Sequence, residues 1–133
     1  MPENIFRHSI RVPYAHVDKM GVVYYANHFV YFEMARSEML RTAGMPYGEM
    51  EKEGILLPVV EAHCEYRAPA RFDDLLTVLS RCCAAGRAGI RISYELRRDG
   101  ELLALGHTIH VCLSPQGKVM RIPPKLKALY GES

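Results

Sequence analysis

No stretch of this chain comes near the ~20 consecutive apolar residues that a membrane-spanning helix needs. Its start, Met1-Pro2-Glu3-Asn4-Ile5-Phe6-Arg7, lacks the charged-then-apolar layout of a signal peptide. Cysteine is scarce and badly spaced for crosslinking: Cys64, Cys82, Cys83 and Cys112 form no CxxC pair. Neighbours such as Cys82 and Cys83 face opposite sides of a strand, which suits buried thiols better than a disulfide framework. These absences predict a cytoplasmic protein. A dominant charge is missing as well. Lys+Arg 17 against Asp+Glu 15 leaves a formal +2, and the basic residues are interleaved with acids. That pattern excludes the concentrated basic stripe of a nucleic-acid binder, so no nucleic-acid partner is expected. Repeats, low-complexity tracts and Gly/Ser linkers are also lacking, and 133 residues are too few for two ordinary domains. One domain over residues 1–133 is the reading, and 49% apolar with 24% charged residues suits a folded chain.

Several catalytic signatures are absent too: no GxSxG elbow, Gly-rich phosphate loop or dinucleotide fingerprint occurs. His107-x-x-His110 has the spacing of a metal pair, but residues three apart on a strand point to opposite faces, so no metal site is read there. All four thiols lie in apolar, strand-like runs, which argues against a cysteine nucleophile. No cofactor is implied.

What is present is ordered patterning. Phe6, His8, Ile10, Val12 and Tyr14 alternate with Arg7, Ser9, Arg11 and Pro13, the period of a strand, and Pro13 favours an edge or a strand end. Phe29, Phe32, Ala35, Met39 and Ala43 recur at helical steps. Asn27 reads as the N-cap of that helix, Gly44 as its terminator, and Pro46 forbids continuation. A short second helical turn follows around Tyr47 to Glu53. Strands are predicted over Ile55 to Tyr66, Leu75 to Ala84, Ile90 to Arg97 and Leu102 to Leu113, with Asp99-Gly100 as a hairpin turn and a helical turn over Lys125 to Tyr130. The order is strand, long helix, then four strands in hairpin-like succession. One helix cannot cover both faces of a parallel sheet, so the fold class is α+β, an antiparallel sheet wrapped around one long central helix. The sheet's other face and its edges then call for dimerisation or higher assembly.

The least repetitive stretch is Tyr14-Ala15-His16-Val17-Asp18-Lys19-Met20-Gly21-Val22-Val23-Tyr24-Tyr25-Ala26-Asn27-His28. It feeds a carboxylate, a glycine and two tyrosines into the head of the main helix, whose unpaired amides and dipole favour an anion or a developing oxyanion. A base or nucleophile beside such a dipole is what acyl transfer needs. On composition alone, Asp18 reads more readily as a turn cap, with the tyrosines packed under the loop. His16 and Asp18 suggest a His–Asp pair or a loop hydrogen bond.

Asp18-x-x-Gly21-Val-Val-Tyr24-Tyr25-Ala-Asn27, followed by Tyr31-Phe32-Glu33-x-x-Arg36, resembles the signature of hotdog-fold acyl-CoA thioesterases of the 4-hydroxybenzoyl-CoA thioesterase type. Within that type it is similar to the small bacterial acyl-CoA thioesterases often found beside Tol–Pal genes. Tyr66-Arg67-Ala68-Pro69-Ala70-Arg71-Phe72-Asp73-Asp74 resembles the family's link between its second and third strands. The resemblance runs from about Ile10 to Pro123. It implies a hotdog fold, active sites at a dimer interface, often within a homotetramer, and an acyl-CoA substrate. It assigns Asp18 as nucleophile or general base and the backbone N–H at Tyr25 or nearby, at the head of the helix, as oxyanion donor. Many relatives carry histidine where this chain has Tyr25, so the amide and not the side chain keeps that role. They also frequently carry Ser or Thr in the turn Ala85-Gly86-Arg87-Ala88-Gly89, where Ala88 and Gly89 offer no hydroxyl.

The remaining candidate binding residues are Gly21, Val23, Tyr24 and Asn27 of the loop, Glu33, Val59 beside Pro58, Arg67, Pro69, Arg71 and Arg87. Glu33 fits either orientation of the site loop or a solvated helix face. Arg67 and Arg71 suit CoA phosphates, or ion pairs with Asp73 or Asp74. Arg87 suits a CoA phosphate or plain surface. Pro58 and Val59 read as acyl-pocket wall or core. The activity expected is hydrolysis of acyl-CoA to acid and CoA. A non-catalytic hotdog module binding acyl groups or partner proteins, and a hotdog dehydratase, are the rivals.

Overall fold

The computed structural model describes residues 4–131; residues 1–3, part of the start read above as lacking a signal-peptide layout, and 132–133 lie outside the described residues. The alternating segments become five strands: β1 (Phe6–Arg11), β2 (Val59–Tyr66), β3 (Leu75–Ala84), β4 (Gly89–Arg98) and β5 (Glu101–Val111). Three helices accompany them: α1 (Asn27–Thr42), α2 (Tyr47–Lys52) and α3 (Pro124–Lys127). The sheet is antiparallel throughout, in the order β1-β3-β4-β5-β2. Only β3, β4 and β5 follow one another as hairpins. The expected succession of four fails at β2, which crosses to the far edge and pairs with β5, because β3 lies between β1 and β4.

Register decides the core. In β4, Ile90, Ile92, Tyr94 and Leu96 are buried while Arg91, Ser93, Glu95 and Arg97 lie on the other face, the alternation expected of a sheet covered on one side. The same rule separates the two histidines of β5. His107 donates to Glu61 Oε2 from Nε2 (2.7 Å) and accepts from Arg91 at Nδ1 (3.2 Å), whereas His110 is buried on the helix side. Among the described residues no group of three His, Cys, Asp or Glu side chains is placed to hold a metal ion.

The helix α1 lies across the concave face, against β1 and β3. Phe32, Ala35 and Met39 of the predicted stripe are fully buried, whereas Phe29 and Ala43 are half-buried; His28, Tyr31, Arg36 and Leu40 widen the buried face. Phe32 stacks on Tyr94 with ring centroids 4.5 Å apart. That approach requires Gly106 on β5, where a Cβ would collide with the Phe32 ring and sit 2.8 Å from the His63 carbonyl oxygen. Burial of such a ring is worth roughly 1.5–3 kcal/mol. Ala26, not Asn27, is the residue before the helix, and it makes no side-chain cap. Asn27 is the first helical residue and its side-chain amide donates instead to the His16 carbonyl (3.2 Å).

Strand boundaries differ from the periodicity at two places. β1 ends at Arg11, and Tyr14–His16 forms a 3-10 turn where alternation continued in the sequence. β2 starts only at Val59, because Leu56 makes a single bridge with Leu113 before Pro58 interrupts. All four cysteines are free thiols, Cys82 buried and Cys83 half-buried on opposite faces of β3. No helix of the described residues is long and apolar enough to cross a membrane.

Candidate active site

The loop that leaves β1 doubles back before it enters α1. Val17 bridges Val23, and Asp18 N–H donates to the Val22 carbonyl (2.9 Å) while Gly21 N–H returns to the Asp18 carbonyl (2.9 Å). Gly21 closes this tight turn at φ 79°, a left-handed conformation that a side chain strains. Inside the turn, Asp18 Oδ1 accepts the Met20 amide at 2.8 Å. Its carboxylate therefore does cap a turn, and its second oxygen carries no bond from the described residues. Asp18 and Gly21 line a depression with Tyr14, Val17, Lys19 and Phe72. Of the two readings of His16, the pair with Asp18 is not made: His16 Nδ1 bonds the Tyr31 hydroxyl (2.9 Å).

From Val22 the chain runs along the segment after β2: Val22 bridges Arg71, and Val23 N–H donates to the Ala70 carbonyl (2.8 Å). This contact brings the two sequence motifs together. A cleft of about 330 Å³ opens between them, lined by Val22, Val23, Tyr25, His28, Tyr66, Arg67, Ala68 and Pro69. Four expected residues, Val23, Tyr25, Arg67 and Pro69, thus share one cleft. Tyr24 lies against Tyr25, ring centroids 4.7 Å apart, and the hydroxyl of Tyr24 is held above the usual phenol range chiefly by its bond to Tyr25.

At the head of α1, Asn27 N–H donates to the Tyr24 carbonyl (2.9 Å) and Tyr24 N–H to the His16 carbonyl (2.9 Å). The amides of Tyr25 and Ala26 meet no acceptor among the described residues. They are the open donors of a helix start, at the positive end of its dipole.

Other expected residues lie elsewhere. Glu33 is exposed on α1 and makes no side-chain bond among the described residues. Val59 sits at the opposite end of β2 from Tyr66. Arg87, in the β3–β4 turn, lines a basic depression with Arg121 and Lys127. Neither arginine near Pro69 makes the ion pair with Asp73 or Asp74. Arg67 reaches Glu65 at 4.0 Å, and Asp74 takes the backbone N–H of Arg71 (2.8 Å) and the guanidinium of Arg98 (2.7 Å). Those bonds hold the Asp74 carboxyl below its usual range against a desolvation effect that opposes them.

Two cleft residues were given no role by the sequence. His28 is 3% exposed, and burial lowers its imidazole below the ordinary value. Its Nδ1 bonds the Tyr25 carbonyl oxygen (3.0 Å), so the neutral ring carries its proton there. Tyr66 donates its hydroxyl to the same oxygen at 2.9 Å and is pushed up to about 12 by desolvation. Both were visible inside the quoted motifs. Only the spacing of His28 three residues after Tyr25, one helical turn, pointed to their meeting.

The family model of the thioesterase-like superfamily matches residues 12–129. The acyl-CoA thioesterase YbgC of Haemophilus influenzae is 32% identical over 133 residues, covering 98% of this chain and 97% of its own. The acyl-CoA thioester hydrolase YbgC of Escherichia coli O157:H7 is 30% identical over 126 residues, covering 94% of each. Among solved structures, a protein of Thermus thermophilus superposes with TM-score 0.87 at 37% identity, covering 94% of this chain and 99% of the other. A 1,4-dihydroxy-2-naphthoyl-CoA thioesterase from Synechocystis superposes with TM-score 0.88 at 26% identity, covering 94% of each. The protein described here has the hotdog fold and belongs to the thioesterase-like superfamily.

Proposed function

We propose that this protein is a thioester hydrolase that splits acyl-CoA into a carboxylic acid and CoA, with Asp18 as nucleophile or general base. The observation that carries the reading is the pair of acceptor-free amides, Tyr25 and Ala26, at the head of α1, beside the hairpin that holds Asp18. Hydrolysis moves negative charge onto the thioester carbonyl oxygen, and preorganised amides at a helix start stabilise that charge where it develops. As nucleophile, an Asp18 oxygen bonds the acyl carbon, the C–S bond breaks, and water then hydrolyses the mixed anhydride. As base, Asp18 takes a proton from water, the resulting hydroxide attacks, and the proton passes to the departing CoA thiolate. Names of relatives support this substrate class.

The apolar cleft beside Val23, Tyr24 and Tyr25 suits the acyl group, with Gly21, Asn27 and Glu33 shaping the loop and helix around it. Arg67, which lines the cleft beside Pro69, and Arg71, two residues beyond Pro69, suit the CoA phosphates, as does Arg87 beside Arg121 and Lys127. Almost all of β2, an edge strand, is exposed in a single protomer. We infer that it pairs antiparallel with β2 of a second copy. Such pairing sets the start of one β2 beside the end of the other, so Val59 of one protomer closes the cleft that ends at Tyr66 in its neighbour. A homotetramer of two such dimers, working in the cytoplasm without a cofactor, completes the reading. Release of free CoA thiol from short, long and aromatic acyl-CoAs tests it: turnover with at least one class is expected. Saturable binding with no turnover across the panel would make it an acyl-CoA-binding module instead.

A further inference from the structure

The Tyr25 carbonyl oxygen is unusually well supplied with donors. It accepts the backbone N–H of His28 (3.2 Å), the His28 ring Nδ1–H (3.0 Å) and the Tyr66 hydroxyl (2.9 Å). A carbonyl at a helix start ordinarily receives one backbone amide. Here two side chains from different elements converge on it, one from the first turn of α1 and one from the last residue of β2, 41 residues apart in sequence from Tyr25. The rings of His28 and Tyr66 meet edge to face at 4.7 Å, so each braces the other.

This carbonyl shares its peptide unit with the Ala26 amide, one of the two open donors at the head of α1. Donors on the oxygen of a peptide polarise its N–H, strengthening it by about 10–30% per bond. They also fix the plane in which that N–H points. The preceding peptide, which carries the Tyr25 N–H, is held in the same way by the bond from Asn27 N–H to the Tyr24 carbonyl.

We propose that His28 and Tyr66 are positioning residues that clamp and polarise the Tyr25–Ala26 peptide, making the Ala26 N–H a second oxyanion donor beside that of Tyr25. The inference rests on the thioesterase reading for its consequence, but the clamp itself is a property of the chain. Both side chains line the cleft, but the clamp acts through the Tyr25–Ala26 peptide and not through contact with the substrate. Both donate in the neutral state: the phenol stays protonated because desolvation raises it, and the buried imidazole carries its proton on Nδ1.

The test uses the full chain. Tyr66→Phe deletes one hydroxyl and keeps the ring, His28→Leu deletes one donor, and His28→Asn restores a donor at that position. The expected result is a loss of kcat of about tenfold in Tyr66→Phe and in His28→Leu, about 1.4 kcal/mol each, with KM within about twofold and recovery of most of the rate in His28→Asn. Backbone amide resonances of the 15N-labelled protein give a readout independent of turnover: the Ala26 signal moves upfield in Tyr66→Phe, with the surrounding core unshifted. Raised KM at unchanged kcat, or an Ala26 amide that does not move, overturns the proposal. An inactive wild type whose Ala26 amide still responds to Tyr66→Phe overturns the thioesterase reading and leaves the clamp standing.

Discussion

Arg36 donates from Nη1 to the Tyr94 hydroxyl at 3.2 Å inside the core, with no carboxylate among the described residues to answer its charge. Its Nε donates to Tyr47 (2.9 Å). Beyond Tyr94 the bonds continue to Thr108 Oγ1 (2.7 Å), His110 Nε2 (2.8 Å) and, from His110 Nδ1, the Leu57 carbonyl (3.0 Å). A carbonyl only accepts, so neutral His110 carries its proton on Nδ1, and Nε2 must accept from Thr108, which accepts in turn from Tyr94. Every donor in this chain points from α1 toward the segment before β2. Tyr94→Phe breaks it in the middle while keeping the ring stacked on Phe32. A loss of about 1–3 kcal/mol is expected, because buried polar groups lose their partner. Urea unfolding measures it; a change below about 0.5 kcal/mol, the level of an unimportant substitution, contradicts the network's role.

The same core sets a pH dependence. Burial holds both His28 and His110 below the ordinary imidazole value, partly offset in each by a bond to a backbone carbonyl, and the Arg36 charge lowers His110 further. Below about pH 6.5 the unfolded chain takes up protons that these rings resist in the folded state. Stability is therefore full above that pH and falls as pH drops below it, by at most about 1.4 kcal/mol per pH unit for each ring. Thermal unfolding between pH 8 and pH 5 checks this, and a His110→Asn variant should show the shallower slope.

Gly106 is predicted to be intolerant of even a methyl group. Gly106→Ala drives a Cβ into the Phe32 ring and toward the His63 carbonyl. The expected cost is about 1–3 kcal/mol, as for other overpacked cores, read as a lowered unfolding midpoint. An unchanged midpoint would mean that α1 shifts freely over β5.

Assembly and activity should fall together. Val60→Asp puts a charge on the exposed edge strand, where Val60 is 60% exposed in the single protomer. Sedimentation should show a shift toward monomer, with activity dropping in proportion because the cleft then lacks the neighbour's Val59. Full activity in a monomeric variant would show that one protomer suffices.

Much of this fold was legible because periodicity follows burial. The β4 alternation, the α1 stripe and the Asp99-Gly100 turn each declare their structure locally. The crossing of β2 to the far edge was not legible, since an alternating strand says which face is buried but not which strand lies beside it. Asn27 failed as a cap for a related reason. It is already the first helical residue, and its Nδ2 donates to the His16 carbonyl instead of its Oδ1 accepting a first-turn amide, in a loop whose path the sequence does not encode by period. In the site, the Asp18 and Tyr25 segments were found by motif. The convergence of His28 and Tyr66 on one carbonyl was not, because it joins two motifs that only the folded chain brings together. The sequence carries no local signal that Arg36 and His110 are buried, because the bonds that satisfy them come from distant segments.

The most direct measurement is the rate of CoA release by Asp18→Asn, a change that keeps the side chain's shape and its ability to accept from the Met20 amide. With circular dichroism and unfolding midpoint unchanged, kcat/KM on the wild type's best acyl-CoA is expected to fall by about 10²-fold or more. Hydrolysis at the wild-type rate would remove Asp18 from the chemistry and contradict the account.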